Sequence, residues 1–275
     1  MAIFLKTEDE IQLMRKANQL VGLTLAELAK HIQPGISTLE LDKIAEEFIR
    51  DHGAIPTFKN FPNPYGPAFP ASICTSVNDC VVHGIPSEKE ILRDGDVISV
   101  DCGTLLDGYN GDSAYTFEVG EVAEDIKQLL RVTKESLYLG IEQAIAGKHL
   151  GDIGQTVQDH CEQYGYGIVR ELTGHGIGKE MHEEPQVPNY GRRGQGKSLK
   201  ANMCIAIEPM VTQGDRKIYL DEDKWGIRTL DHKPAAHYEH TIAIRKGKAE
   251  ILSSFTEIEN ILNNKKPNNL IQKWA

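Results

Sequence analysis

The sequence predicts an α+β fold in which two copies of one unit form a central antiparallel sheet backed by helices, related by a pseudo-two-fold axis. Three observations predict it. Each half of the chain carries a long helical pattern followed by a shorter one, a pair of strand patterns punctuated by acids, and one His-Gly-Ile tripeptide. We expect a single domain over residues 1–256, with pseudo-repeats of about 7–120 and 121–252, and a polar C-terminal extension over 257–275.

The helices are predicted from apolar spacing and from their end signals. Capping-box spacing marks the first helix at Thr7 and Glu10 and the second at Ser37 and Glu40. In both halves, glycines follow the long and the short helix at the same separation. The predicted helical stretches are 7–31, 37–53, 121–146 and 152–164.

The strands repeat in the same way, and each is bounded by an acid. Residues 92–101 align without gaps on 199–208, and 112–120 align on 239–247. Residues 92–101 and 199–208 each end on an acid, and residues 112–120 and 239–247 each begin on one. The four acids are Asp101, Asp112, Glu208 and Glu239.

These acids predict a metal site if the two halves face each other. A single acid at a strand end is more often a solvated turn former, so the argument rests on the repetition. Four converging carboxylates are unfavourable unless cations neutralise them. The glycines around His175, in the second His-Gly-Ile, allow a close backbone approach to such a centre. Oxygen ligands with one imidazole suit Co, Mn, Fe or Zn, so we expect two divalent metal ions.

Composition excludes several other classes of protein. The 275 residues are 40% hydrophobic and 25% charged, which is ordinary for a globular enzyme. The net charge of −10 argues against general nucleic-acid binding, and the basic residues at 192–200 are typical of a solvated loop. No stretch has the length and hydropathy of a signal peptide or a membrane span. The 5 scattered cysteines favour a reduced, cytoplasmic location.

Several motifs together resemble those of the type I methionine aminopeptidases, in their bacterial short form. The resemblance covers about residues 5–252 and includes the spacing between motifs. It implies the pita-bread fold and removal of the initiator methionine from nascent proteins whose second residue is small. The motifs are "HGIP" (83–86), "DGDVISVDCG" (94–103), "YNGDSAYTF" (109–117), "GHGIG" (174–178), "HEEP" (182–185), "IEP" (207–209) and "YEHT" (238–241).

The resemblance also implies roles for individual residues. Asp112 and Glu239 would bridge both metals, and Glu208 would carry the proton of the attacking water to the leaving amine. His83 and His182 would be catalytic residues that hold substrate and intermediate without binding metal, although orientation of the ligands is an alternative role. The implied metal ligands are Asp101, Asp112, His175, Glu208 and Glu239.

A methionine pocket is implied near these residues. Its walls would include Phe69, Cys74, Met181 and Trp225, in addition to the two histidines. Met181 stands where the family usually has phenylalanine, and its thioether can still pack on methionine. The segment 58–70 is longer and richer in proline than the family pattern, so the choice among its aromatic residues stays open.

Further partners follow from the same resemblance. A monovalent cation is expected at carbonyls near Asn78 and Cys80. Nascent polypeptide N-termini are the expected substrates, with transient ribosome association, no membrane or specific nucleic-acid partner, and a monomeric state. No zinc-finger segment precedes residue 1 and no long helical insertion of the type II kind occurs, which favours the short form.

Two alternatives stay open. Proline-specific peptidases share the fold, but they usually carry a large N-terminal domain for which no room exists before residue 7. A catalytically inactive binding protein on this scaffold would characteristically lack metal ligands, whereas all five are present here. Cleavage of X-Pro peptides and the metal content of the protein separate these alternatives.

Overall fold

The computed structural model describes residues 3–265. The helices in that part of the chain are α1 (Glu8–His31), α2 (Thr38–Asp51), α3 (Glu124–Gln143), α4 (Leu150–Glu162) and α5 (Thr256–Lys265). The strands are β1 (Ile55–Pro56), β2 (Ile73–Val77), β3 (Cys80–Val82), β4 (Val97–Leu106), β5 (Tyr109–Glu118), β6 (Gly167–Ile168), β7 (Gly174–Gly176), β8 (Glu183–Val187), β9 (Cys204–Ile207), β10 (Met210–Thr212), β11 (Ile218–Leu220), β12 (Ile227–Thr229), β13 (Ala235–His237), β14 (His240–Ala243) and β15 (Glu250–Ile251).

The helix starts lie where the sequence predicts them. The Thr7 hydroxyl accepts a hydrogen bond from the Glu10 backbone N–H at 3.2 Å, and the Glu10 carboxylate accepts one from the Thr7 N–H at 2.8 Å. These two bonds are a capping box, which satisfies amides that have no partner inside the helix. In α2 the Ser37 hydroxyl accepts from the Glu40 N–H at 3.2 Å.

Glycines after the helices support the duplication. Gly35 and Gly147 both have φ near +98°, while Gly53 and Gly165 have φ of +75° and +79°. Side chains other than glycine rarely adopt this left-handed region. The same backbone reversal therefore follows the long helix and the short helix in each half, as the predicted pseudo-two-fold fold requires.

The first half is built on a long hairpin of β4 and β5. The strands pair along their whole length, from Val97 opposite Glu118 to Leu106 opposite Tyr109. The turn is the dipeptide Asp107-Gly108, with φ of +51° and +79°, a combination that suits a tight hairpin. The predictions that one strand ends at Asp101 and the next begins at Asp112 are therefore wrong, because these residues lie mid-strand, opposite Ala114 and Gly103.

In the second half, the acids do flank the strands. Strand β9 ends at Ile207, immediately before Glu208, and β14 begins at His240, immediately after Glu239. Ile207 and His240 are paired across the two strands. This half forms a five-stranded sheet in the order β15-β14-β9-β7-β8, while β4 pairs with β1, β2 and β5 in the first half.

Hydrogen bonds between β5 and residues 239–241 join the two halves. The Glu239 N–H donates to the Ala114 carbonyl at 2.9 Å, and the Ser113 hydroxyl donates to the Glu239 carbonyl at 2.6 Å. The Thr241 hydroxyl donates to the Asp112 carbonyl at 2.8 Å. Acids from both halves are thereby brought to one place, on rigid strands.

The helices cover the sheets and enclose a continuous apolar core. Helix α5, within the stretch predicted as a polar extension, contributes the fully buried Ile258 to that core. The predicted extension continues beyond the described residues, where Leu270, Ile271 and Trp274 lie. No helix among residues 3–265 is long and apolar enough to cross a membrane.

Candidate active site

A cavity of about 110 Å³ opens where the two halves meet. One side is polar and is formed by acids and histidines from both halves, and the opposite side is aromatic. The lining residues are Phe58, Phe61, Phe69, Cys74, His83, Asp101, Asp112, His175, His182, Glu208, Trp225 and Glu239. All five predicted metal ligands and both predicted catalytic histidines thus border one space.

The polar side contains a compact ligand group. Asp112, His175 and Glu239 each offer one atom, and these atoms lie within 4.8 Å of one another. The Nε2 atom of His175 lies 3.5 Å from Asp112 Oδ2 and 3.6 Å from Glu208 Oε1. Asp101 lies outside the tightest group but borders the same cavity.

Three of the carboxylates have an oxygen without a hydrogen-bond partner in the described structure. One oxygen each of Asp101, Asp112 and Glu239 is buried without a hydrogen bond within the described part of the chain. Burial is the main cause that raises the pKa of all three, and neighbouring carboxylates add to the rise for Asp101 and Glu239. Buried acids with unused oxygen lone pairs are the arrangement that divalent cations stabilise, so these residues fit a metal centre.

The imidazole of His175 is oriented for the same task. Its Nδ1 lies 2.9 Å from the Gly176 carbonyl oxygen, which accepts only if Nδ1 carries the proton. That tautomer leaves the Nε2 lone pair facing the acids, as a metal ligand requires. Burial alone lowers the pKa of His175, but Asp112 and Glu208 more than offset it, and in the metal-free site the pKa is raised.

The other two histidines have different surroundings. His83 follows β3 with φ of +59°, and its ring lies edge-on to Trp225, with 6.3 Å between centroids. Desolvation lowers the pKa of His83 to about 4. His182 lies edge-on to His175 at 4.5 Å and to Phe61 at 5.3 Å, at the exposed mouth of the cavity. Desolvation, and then His175, lower the pKa of His182.

The aromatic side forms a slot for an apolar side chain. Phe69 is 2% exposed and packs edge-on against Trp225 with 5.1 Å between centroids. The Trp225 indole N–H donates to the Pro67 carbonyl at 2.9 Å, which ties the 221–226 turn to the 58–70 segment. Cys74 is buried beside Phe69, and desolvation raises the pKa of its thiol well above the usual range.

The structure gives the places of four residues at or near this slot that the sequence left open or assigned to its wall. Phe58 and Phe61 border the cavity, although the sequence left the aromatics of 58–70 undecided. Met181 is buried behind the slot, and a Cβ added to Gly103 would lie 2.5 Å from its methyl group. Tyr65 is 85% exposed. The spacing of Phe58 and Phe61 carried no periodic signal, because this segment forms no regular structure.

A second space of about 330 Å³ continues from the first. It shares His83, Asp101, His175, His182 and Glu208 with the first space. The added lining residues are Val82, Leu172, Thr173, Glu183, Glu184, Gln186, Met210 and His237. Two ion pairs stand beside it. Lys6 Nζ lies 2.6 Å from Glu183 Oε2, and their side chains are 5% and 9% exposed. Lys197 pairs with Glu184 at 2.5 Å near the surface.

Known proteins with this arrangement are metallopeptidases. A model of metallopeptidase family M24 matches residues 12–246. Methionine aminopeptidase from Clostridium acetobutylicum is 50% identical over 251 residues, covering 91% of this chain and 98% of that protein. Methionine aminopeptidase 1 from Bacillus subtilis is 49% identical over 251 residues, covering 91% and 99%.

Solved structures agree with the sequence comparison. The methionine aminopeptidases from Rickettsia prowazekii and Thermotoga maritima each give a TM-score of 0.88, at 39% and 40% identity, covering 92% of this chain and 100% of theirs. An Xaa-Pro dipeptidase from Bacillus anthracis, at 23% identity and a TM-score of 0.72, shares the fold. Its coverage is 91% of this chain and 62% of the dipeptidase. The chain therefore belongs to metallopeptidase family M24 and, within it, to the methionine aminopeptidases.

Proposed function

We propose that this protein hydrolyses the initiator methionine from nascent proteins whose second residue is small. One observation carries the proposal: a buried group of metal ligands faces an aromatic slot across a single small cavity. The polar side suits hydrolysis of a peptide bond, and the slot suits one apolar side chain of the length of methionine. The match to this chain covers 98% and 99% of the length of two relatives named methionine aminopeptidase.

Two divalent ions fit the polar side. The residues that would hold them are Asp101, Asp112, His175, Glu208 and Glu239. When bound, the ions supply Lewis-acid activation of water and of the peptide carbonyl, and they neutralise the carboxylates. Among the suitable ions are Co, Mn, Fe and Zn.

The protein side chains supply the remaining steps. Glu208 accepts the proton of the attacking water and delivers it to the leaving amine, as a general base and then a general acid. The imidazole N–H of His182 donates to the oxyanion that develops on the scissile carbonyl. His83 contacts the scissile amide. Both imidazoles are neutral at pH 7, because their pKa values are lowered, and a neutral imidazole still carries one N–H donor.

The slot selects the first residue. Phe58, Phe61, Phe69 and Trp225 give apolar and aromatic walls, and the small Cys74 leaves depth for an unbranched chain. Met181 supports this wall from behind. A branched leucine would collide with the wall near Trp225 and Cys74, whereas norleucine has nearly the shape of methionine.

Peptide specificity tests the proposal. The metal-stripped protein is reconstituted anaerobically with each of the four metals and assayed on Met-Ala, Met-Leu, norleucine-Ala, Leu-Ala and Ala-Pro. We expect rapid cleavage of Met-Ala, slower cleavage of norleucine-Ala, and a large fall in kcat/KM for Met-Leu and Leu-Ala. Comparable rates for Met-Ala and Met-Leu contradict the limit on the second residue. Cleavage of Ala-Pro alone indicates a proline-specific peptidase.

Two controls exclude the remaining alternative. Glu208→Gln should abolish turnover while its circular dichroism spectrum stays that of the wild type. Metal analysis of protein purified without chelator should find stoichiometric divalent metal, whereas an inactive binding protein should contain none.

The cellular setting forms part of the same proposal. We place the protein in the cytoplasm as a monomer that associates transiently with ribosomes, because nascent N-termini appear there. A monovalent cation near Asn78 and Cys80 would bind backbone carbonyls. Cosedimentation with ribosomes at low and high salt tests the association, and turnover in sodium, potassium and tetramethylammonium buffers tests the cation.

A further inference from the structure

His237 is a buried histidine beside the candidate site that has no assigned role. It ends β13, where it is paired with Met210 of β10, and its side chain is 2% exposed. Its backbone is fixed on both sides by one hydroxyl group. The His237 N–H donates to Thr116 Oγ1 at 2.9 Å, and that hydroxyl donates to the His237 carbonyl at 2.8 Å.

The ring of His237 faces Glu208. Its Nε2 lies 3.6 Å from Glu208 Oε2, and this nitrogen is buried with no hydrogen-bond partner among residues 3–265. A buried polar atom without a partner is unfavourable, so such atoms in folded proteins almost always have one. A displacement of a few tenths of an ångström makes the Glu208 carboxylate that partner, and distances of this kind shorten when a catalytic site is assembled.

The Glu208 carboxylate lies between two imidazoles. His175 Nε2 lies 3.6 Å from Oε1, on the side of the ligand group, and His237 Nε2 lies 3.6 Å from Oε2. The backbone carbonyl of Glu208 accepts a hydrogen bond from Asn189 Nδ2 at 2.8 Å. A carboxylate with fixed backbone and two imidazole neighbours has little freedom to rotate.

We propose that His237 is a positioning residue for Glu208, and this inference rests on the proposed function. Its Nε2–H donates to Glu208 Oε2 and fixes the plane of the carboxylate. Glu208 can then transfer a proton without first reorienting, which keeps its geometry within the narrow range that catalysis requires. His237 acts through Glu208 and needs no change of its own protonation state.

Two substitutions of similar size separate this role from simple packing. His237→Gln retains an N–H donor at similar reach, whereas His237→Met fills comparable volume without a donor. We expect His237→Met to lower kcat on Met-Ala about 10–100-fold with KM changed less than about twofold, as for loss of an outer hydrogen-bond partner. His237→Gln should recover kcat to within about threefold of the wild type.

A second readout does not depend on turnover. Calorimetric titration with Co(II) under anaerobic conditions should show two ions in both variants, with the weaker site about tenfold weaker in His237→Met and unchanged in His237→Gln. In the Glu208→Gln background, His237→Met should leave both affinities unchanged, because the two residues act as one unit. The Co(II) titration still tests the role of His237 if the wild type fails to cleave Met-Ala. Such a failure would refute the proposed function but not the role of His237.

Equal behaviour of the Gln and Met variants in both assays overturns the proposal. So does a rise in KM at constant kcat, which would make His237 a direct substrate contact in the second space. If His237→Met does not fold, His237→Asn replaces it, because its shorter amide cannot reach Glu208. His237→Asn should then lose activity and Co(II) affinity as stated for His237→Met, and wild-type values for His237→Asn refute the assignment.

Discussion

The His-Gly-Ile segments at 83–85 and 175–177 have the same three residues in the two halves of the molecule, yet their histidines have different neighbours and oppositely shifted pKa values. The glycines behave alike. A Cβ added to Gly84 would lie 2.2 Å from the Thr75 carbonyl oxygen, and one added to Gly176 would lie 2.2 Å from that of Glu184. Both segments therefore run against a neighbouring strand, at a distance that only glycine allows.

The histidines differ because their neighbours differ. Asp112 and Glu208 lie 3.5 and 3.6 Å from His175 Nε2, and together they raise its pKa above the ordinary value despite burial. His83 faces Trp225, and desolvation lowers its pKa to about 4. The close approach at the glycine is common to both segments, but the backbone at the histidine differs, because His83 has φ of +59° and His175 lies in β7. The side chains packed around each copy then determine whether the imidazole can serve as a metal ligand.

Removing each imidazole should give the largest contrast. We expect His175→Ala to lose one of two bound Co(II) ions and all measurable turnover. We expect His83→Ala to keep both ions while kcat/KM falls about 10²–10³-fold, as for one lost transition-state contact. Metal analysis after gel filtration, together with Met-Ala assays, measures both. If the two variants lose metal equally, the distinction between the histidines is wrong.

Much of this contrast could be predicted from residue patterns. The acids Asp112, Glu208 and Glu239 were found because they stand at equivalent places in both halves, and the structure brings them together. Asp101 borders the same cavity, but the prediction that the strand ends there was wrong. Alternation stopped being visible after Cys102, since Gly103 lacks a side chain, whereas the turn that ends the strand is Asp107-Gly108.

Other parts of the site depend on tertiary contacts that no local pattern contains. His237 stands just before the motif at 238–241 and is not part of it, and it meets Glu208 only because β13 pairs with β10. Phe58 and Phe61 lie in an irregular segment whose course is set by contacts such as Asn63 Nδ2 to the Lys224 carbonyl at 2.9 Å. For such residues, the sequence predicts the composition of the wall but not its members.

His182 tests the same contrast, because its ring lies beside that of His175 but it is not a proposed metal ligand. His182→Ala should lower kcat by about 10²–10³ while both Co(II) ions remain bound, because one oxyanion donor is lost. Steady-state kinetics on Met-Ala resolves kcat from KM. A rise in KM alone would mean that His182 binds the ground state and the transition state equally, against its proposed role.

The ion pairs that brace the two segments should differ in strength. Lys6 and Glu183, next to His182, are 5% and 9% exposed, whereas Arg228 and Asp79, near His83, are 28% and 23% exposed. Removing one partner of a buried pair leaves an uncompensated charge, so Lys6→Met should lower the free energy of unfolding by about 3 kcal/mol. Arg228→Met should cost about 1 kcal/mol. Urea denaturation of both variants measures the difference, and equal losses would show that burial does not separate the two pairs.

The smallest expected effect concerns the pH dependence of stability in the metal-free protein. The pKa of His83 is about 4 in the folded state and about 6.5 in an unfolded chain, so the unfolded state binds the proton first as pH falls. The contribution of His83 is therefore complete above pH 6.5 and is lost between about 6.5 and 4. Because His83 is partly exposed, its titration should lower the free energy of unfolding by no more than about 2 kcal/mol.

His83→Gln keeps a polar side chain and removes this titration. Between pH 7.5 and 5, the free energy of unfolding should fall less in His83→Gln than in the wild type, as measured by urea denaturation in EDTA. An identical fall in His83→Gln and the wild type would contradict the claim that desolvation keeps this imidazole neutral. In that case, the Asp112 and Glu208 carboxylates close to His175 would be the remaining difference between the two segments.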